Sequence, residues 1–287
     1  MSFRLEKKES VADGIHRVLR EQTALALTAL MERKGNLSGR IHEARRCLKR
    51  IRATLRLVRP HTDADTNDME NMAMRNAGRK LSGARDADVA LATFERLVPQ
   101  MSRLAVVRTR AKLKAAVRHN RRHAIPPGQL AAIALEVRAS GHTISLMNFA
   151  ENGWPLFAPG IRKSYASARH ITRALREDTE IESIHDWRKA TKRLLHQLEL
   201  LQSALYKPRR KLLRRLGKLS EILGEHHDLI TLAAHPAASK SPVLRGVITL
   251  KIARRLKKAR RLAKEIFSST PRTYLASIRA GWNDWRG

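Results

Sequence analysis

An internal repeat constrains this chain more than any other feature. The segment I41-H-E-A-R-R-C-L-K-R50 aligns without gaps with I184-H-D-W-R-K-A-T-K-R193, 143 positions later. Further on, L81-S-G-A-R-D86 falls on L223-G-E-H-H-D228 at an offset of 142, and G14-I-H-R pairs more loosely with G160-I-R-K at 146. Three matches in one order at nearly one offset indicate duplication of a helical unit. Each half is therefore expected to form a bundle of about four helices. Helix formers dominate, only 10 of 287 residues are proline, and no segment alternates with a two-residue period, which predicts an all-α fold. The expected helices are 10–33, 38–59, 66–97, 101–123, 128–150, 160–179, 183–206, 208–233, 242–267 and 271–285, with Gly141 a weak point in the fifth. Pro126-Pro127-Gly128 and then G153-W-P-L-F-A-P-G160 interrupt this composition and mark the middle of the molecule. One domain over 1–287 is expected, made of an N-terminal half 1–127, extended to about 150 by a linker helix, and a C-terminal half 151–287.

At about 100° per residue, Ile41, Ala44, Cys47, Leu48, Ile51, Leu55 and Val58 share one face of the first repeat helix. His42, Arg45, Arg46, Lys49 and Arg56 occupy the opposite arc, flanked by Arg50 and Arg52. In the second copy Ile184, Trp187, Ala190, Leu194 and Leu198 form the apolar arc, opposite His185, Arg188, Lys189, Lys192 and His196, while Arg193 matches Arg50. Like charges three and four apart on a helix repel, and solvated faces usually relieve this with interleaved Glu. Here only Glu43 stands near the first stripe, and Asp186 and Glu199 near the second. Two copies of an unrelieved stripe point to an anionic ligand.

The net charge agrees. With 58 Lys and Arg against 26 Asp and Glu, the chain carries +32, far beyond what solubility requires, and polyanions are its expected partners. Nucleic acid, anionic membrane, acidic protein and inorganic polyphosphate all qualify, since multivalent cations gain affinity by releasing counterions. No apolar run reaches membrane-spanning length, and the N-terminus lacks the apolar core of a signal peptide. A single cysteine, Cys47, excludes an internal disulfide and reads as a small core residue. A cytoplasmic protein that does not insert into membranes is expected.

His42 and His185 are expected near the starts of their helices, where free backbone N–H groups favour a phosphate oxygen; Ser183 and Asp186 read as a variant capping box. Arg75, Arg79 and Lys80 in one half and Arg214, Arg215 and Lys218 in the other could supply a second wall, with Asp86 and Asp228 orienting Arg or His side chains. A third basic pair carries Arg108, Lys112 and Arg118, then Lys251, Arg254, Arg255, Lys258 and Arg261. Catalysis, metal and cofactor are not expected. His42-Glu43 is no H-E-x-x-H site, because Arg46 stands where the second His is needed, and no G-x-x-x-x-G-K loop or carboxylate cluster is present. The adjacent His226 and His227 diverge by about 100° on a helix.

The pattern H42-x-x-R45-x-x-x-K49-R50-x-R52 in one half and H185-x-x-R188-K189-x-x-K192 in the other, each followed by L-x-x-x-[RH]-D, resembles the CHAD family, the conserved histidine α-helical domain. The likeness runs from about residue 8 to the end, including E9-S-V-A-D-G-I-H-R-V-L-R-E-Q. It implies two pseudo-symmetric four-helix bundles around a basic central groove or pore, with inorganic polyphosphate bound there without hydrolysis and association with polyphosphate granules. By position, His42, Arg45, Lys49, Arg50 and Arg52 match the first motif, and His185, Arg188, Lys189, Lys192 and Arg193 the second. Where the second motif commonly continues with Arg and an aromatic, this chain has Leu195 and His196. Nonspecific, weaker binding of DNA or RNA is the alternative. Strand binding usually uses aromatic platforms, yet aromatics make up 4% of the chain, and Trp187 lies on an apolar arc.

Overall fold

A computed structural model describes residues 3–32, 35–82, 86–100, 103–122, 125–175, 180–205 and 207–287. The described residues are helical and form no strands. Arg85 of the first L-x-x-x-R-D piece and the 176–179 end of an expected helix lie outside them. The helices are α1 (Val11–Met31), α2 (Leu37–Val58), α3 (Ala64–Lys80), α4 (Asp86–Leu97), α5 (Arg103–Arg122), α6 (Pro127–Ser145), α7 (Gly153–Ala174), α8 (Ile181–Leu200), α9 (Lys207–Ala234), α10 (Pro236–Ser239), α11 (Pro242–Ile266) and α12 (Pro271–Arg286).

Short polar side chains start several of these helices by accepting from free N–H groups of the first turn. Ser10 accepts from Asp13 N, Asn36 from Ser38 N, Asp63 from Thr66 N, and Thr270 from Thr273 N. The first bundle packs α1 against α2 and α6, and α3 against α2 and α6. The second packs α8 between α7 and α9, with α11 on α9 and α12 on α7. The central helix is α2, which also packs against α7 and α8. One hydrophobic core runs through both bundles, from Ile15, Leu48 and Ile51 to Tyr165, Trp187 and Leu194. Every residue expected on the apolar arcs of α2 and α8 is buried, Cys47 among them as a free thiol. A smaller core joins Phe94 and Leu97 of α4, Leu113 of α5, Leu229 and Leu232 of α9 and Ile248 of α11. The N-terminal half therefore reaches across onto the far end of the C-terminal one.

Four sequence expectations need correction. The helix expected over 66–97 is two: α3 stops at Lys80 and α4 starts at Asp86, so the segment can pack first on α2 and α6 and then on α9. The matching residues 223–228 lie inside the continuous α9. The run from Gly153 to Gly160 does not break the chain, because α7 begins at Gly153 and contains Pro159. Pro155 sits in the first turn, where a missing N–H costs nothing. Helix α6 passes unbroken through Gly141. Finally, α8 starts at Ile181 with Glu180 as N-cap and no side-chain cap bond. Ser183 is already inside the first turn, so the capping box is not formed.

Candidate functional site

Because α2 and α8 bury their apolar arcs in one core, their cationic arcs emerge beside each other. Gln197 Nε2 donates to the Ala53 carbonyl at 3.1 Å across this buried contact, and the small Ala53 leaves room above it. The result is a cavity of about 350 Å³ lined by Lys49, Arg52, Ala53 and Arg56 of α2, Arg75 of α3, and Arg188, Lys189, Lys192, Arg193 and His196 of α8. Eight of its ten lining residues are Lys or Arg, and among the described residues no carboxylate lines it.

Two of the guanidinium groups, those of Arg52 and Arg193, are held in place by neutral neighbours. Asn71 Oδ1 accepts from Arg52 Nε at 3.2 Å, while Asn71 Nδ2 donates to the Arg52 carbonyl at 3.3 Å. Arg193 donates to Ser167 Oγ at 3.2 Å, and its buried Nε has no partner. Neutral partners fix geometry without cancelling charge. Burial, then the charges of Arg56, Arg75 and Arg193, push the Arg52 pKa down to about 10. Burial and Arg75 lower that of Arg56, partly offset by Asp68, and burial and Arg56 lower that of Arg193. Shifts of this sign mark a field that an anion would relieve.

Other candidates lie elsewhere. Arg45 donates to the Gly78 carbonyl at 2.7 Å and so ties α2 to α3. Arg46 pairs with Glu43 at 2.6 Å on the exposed side. Arg50 turns to the other flank, 4.6 Å over the Phe3 ring and 3.9 Å from Glu199. His42 is exposed, and both it and His185 stand more than a turn inside their helices, away from the free N–H groups expected to surround them. His185 lines a neighbouring, largely apolar cavity of about 440 Å³ with Arg188, His226 and His227; its ring lies 5.5 Å from that of His227. Burial, Lys189 and Arg188 lower its pKa. Only Arg188 lines both cavities.

Of the expected second wall, Arg75 alone joins the cationic cavity. Arg79 and Lys80 line a separate cleft between α3 and α6, where Lys80 pairs with Glu136. On α9, Arg215 pairs with Glu265 and Lys218 with Glu221, and neither these nor Arg214 line the cavity. Asp228 stands 3.6 Å from Arg96, an Arg partner as expected, whereas Asp86 opens α4 in an exposed position. Of the third basic pair, Arg108, Lys112 and Arg118 on α5 and Arg254, Lys258 and Arg261 on α11 are exposed, and Arg255 pairs with Glu225. The supporting Asn71, Ser167 and Gln197 carry no sequence signal, since each is an ordinary polar residue until its helix is packed.

Among the described residues, no helix is long and apolar enough to cross a membrane, and no group of three or more His, Cys, Asp or Glu could hold a metal ion. A sequence model of the CHAD domain matches residues 17–237. Two solved structures resemble this one in fold. The crystal structure of the CHAD domain from the plant Ricinus communis has a TM-score of 0.60 and 20% identity, covering 99% of this chain and 95% of that one. PptA from Streptomyces chartreusis has a TM-score of 0.61 and 17% identity, covering 91% of this chain and 100% of that one. No curated protein matches the chain.

Proposed function

The chain belongs to the CHAD domain family, and from that premise we propose that it binds inorganic polyphosphate, without hydrolysing it, in the cavity between α2 and α8. One observation carries this reading: eight Lys and Arg from both repeat helices and α3 converge on one cavity with no carboxylate in its lining among the described residues. A chain of phosphates presents point charges at short, regular spacing, which such a lining matches without stacking surfaces or base-reading groups. Among the described residues no Phe, Tyr or Trp lines the cavity, and Trp187 is buried, its Nε1 donating to Thr172 Oγ1 at 2.8 Å. This favours polyphosphate over single-stranded nucleic acid, which is usually held by aromatic stacking. The lining offers cations for holding phosphates and no carboxylate for metal-assisted attack on them, which supports binding rather than turnover. In a cell that stores polyphosphate, such binding would bring the protein to the granules.

Competition between long-chain polyphosphate and single-stranded DNA at matched phosphate and salt tests the reading, with polyphosphate expected to win. If about six phosphates are neutralised, affinity should fall roughly 300-fold between about 50 and 200 mM salt, taking about 0.7 counterions released per contact. A flat salt response, or preference for DNA, would overturn it.

A further inference from the structure

His196 is held differently from the cations that share its cavity. It is 6% exposed, lines the cavity, and places Nδ1 2.9 Å from Glu199 Oε2. Its Nε2 is buried without a hydrogen-bond partner among the described residues. Burial opposes the charge on Glu199, but the bond from His196 and the charges of Arg50 and Lys192 oppose that effect, and the carboxyl lies below its usual range. Glu199 is therefore a carboxylate, which can only accept, so Nδ1 carries the proton and the neutral ring has its lone pair on Nε2. A phosphate oxygen is also an acceptor, and neutral His196 has nothing to give it.

Resting on the polyphosphate reading of the cavity, we propose that binding of a phosphate chain draws one proton from solvent onto Nε2 of His196, so that the His196–Glu199 pair makes affinity rise as pH falls. The groups that face the ring allow both states. From its own helix come Glu199 and Lys192, and from α2 comes Arg50. From the N-terminal segment, among the described residues, comes the Phe3 ring, T-shaped to the imidazole with ring centroids 6.4 Å apart. Burial first, then Lys192 and Arg50, keep the pKa of the ring below its ordinary value despite Glu199, so the ring is neutral near neutral pH before an anion arrives. The anion adds the negative charge that reverses this balance. The imidazolium then donates from Nδ1 to Glu199 and from Nε2 to the phosphate.

Isothermal titration calorimetry of the full chain with long-chain polyphosphate, in two buffers of different ionisation enthalpy, measures the proton directly. Affinities follow from about pH 5.5 to 8.5 at fixed ionic strength, where unperturbed histidine titrates. Uptake approaching one proton is expected, with affinity rising up to about tenfold per pH unit on acidification, until the pH passes below the lowered pKa of the unbound ring. Two variants assign the proton. In Glu199→Gln the amide can donate to Nδ1, so the neutral ring carries its hydrogen on Nε2 and binding needs no uptake. In His196→Gln no ring is present. Both should flatten the pH slope; if His196→Gln fails to fold, Glu199→Gln decides. Binding by the native chain without proton uptake, or uptake retained in a folded variant, overturns the inference while leaving the polyphosphate reading intact. No binding at any pH removes that reading and the inference with it.

Discussion

Arg45 and Arg52 belong to one stripe on α2, yet their surroundings give them opposite roles. Arg45 donates to a backbone carbonyl of the next helix, so Arg45→Ala should cost about 1–3 kcal/mol of stability, the range for a charge-assisted hydrogen bond and its orphaned acceptor. Arg52 and Arg193 are half-buried among like charges, each lowered in pKa by burial and by neighbouring Arg. Arg52→Ala and Arg193→Ala should each weaken polyphosphate binding about tenfold or more while leaving the melting temperature of the unliganded protein unchanged or raised. Urea titration and calorimetry separate the two behaviours. A second effect at this scale is acid sensitivity. Burial, then Arg188 and His185, push the pKa of His227 down to about 4. Between about 6.5 and 4 the unfolded chain binds the proton that folded His227 refuses, so stability must fall as pH drops through that window. Urea midpoints measured across the window should show this slope, reduced in His227→Gln. The stripes themselves were legible from spacing and charge. The Asn71, Ser167 and Gln197 partners were not, because each lies on a different helix or acquires meaning only from a neighbour's burial.

Elements were legible where periodicity was long, and misread where proline and glycine were taken as punctuation. Pro159 and Gly160 look like a break, but Gly160 is a crossing point: a Cβ there would lie 2.1 Å from the Leu57 carbonyl oxygen of α2. Backbone cannot yield as a flexible side chain does, so Gly160→Ala should destabilise by at least about 3 kcal/mol or prevent folding, at or beyond the top of the usual overpacking range. Gly224 in α9 has nothing within 4 Å of its Cβ position. Gly224→Ala should therefore stabilise by roughly 0.5–1 kcal/mol, the helix-interior difference between the two residues. Thermal melts of the pair distinguish a glycine required by contact from one merely tolerated. The α3–α4 separation shows the converse error. The sequence reads 66–97 as one helix, but the first copy divides into α3 and α4, and α4 packs on α9 with Phe94 and Leu97 buried in the smaller core, whereas the second copy runs on as the unbroken α9.

Across the whole molecule the chain carries +32, and eight of its Lys and Arg line the cavity between α2 and α8, which couples an anionic ligand to stability. Polyphosphate at about 100 times its dissociation constant should add about 2.7 kcal/mol to unfolding. With the polyphosphate concentration held fixed, the gain should shrink as salt rises, because the same charges are then screened and the dissociation constant grows; thermal shift at low and high salt checks this, and an equal gain at both would contradict the electrostatic account. The sequence by itself determined the all-α class and the two amphipathic helices whose apolar arcs are buried, since these follow from periodicity and charge along a single strand of information. Only the tertiary structure decided which cations meet. Position along a helix sets the direction of a side chain relative to its own axis alone, whereas the packing of α2 against α3, α7 and α8 decides that Arg75 faces the cavity, that Arg79 and Lys80 face Glu136, and that His42 faces solvent.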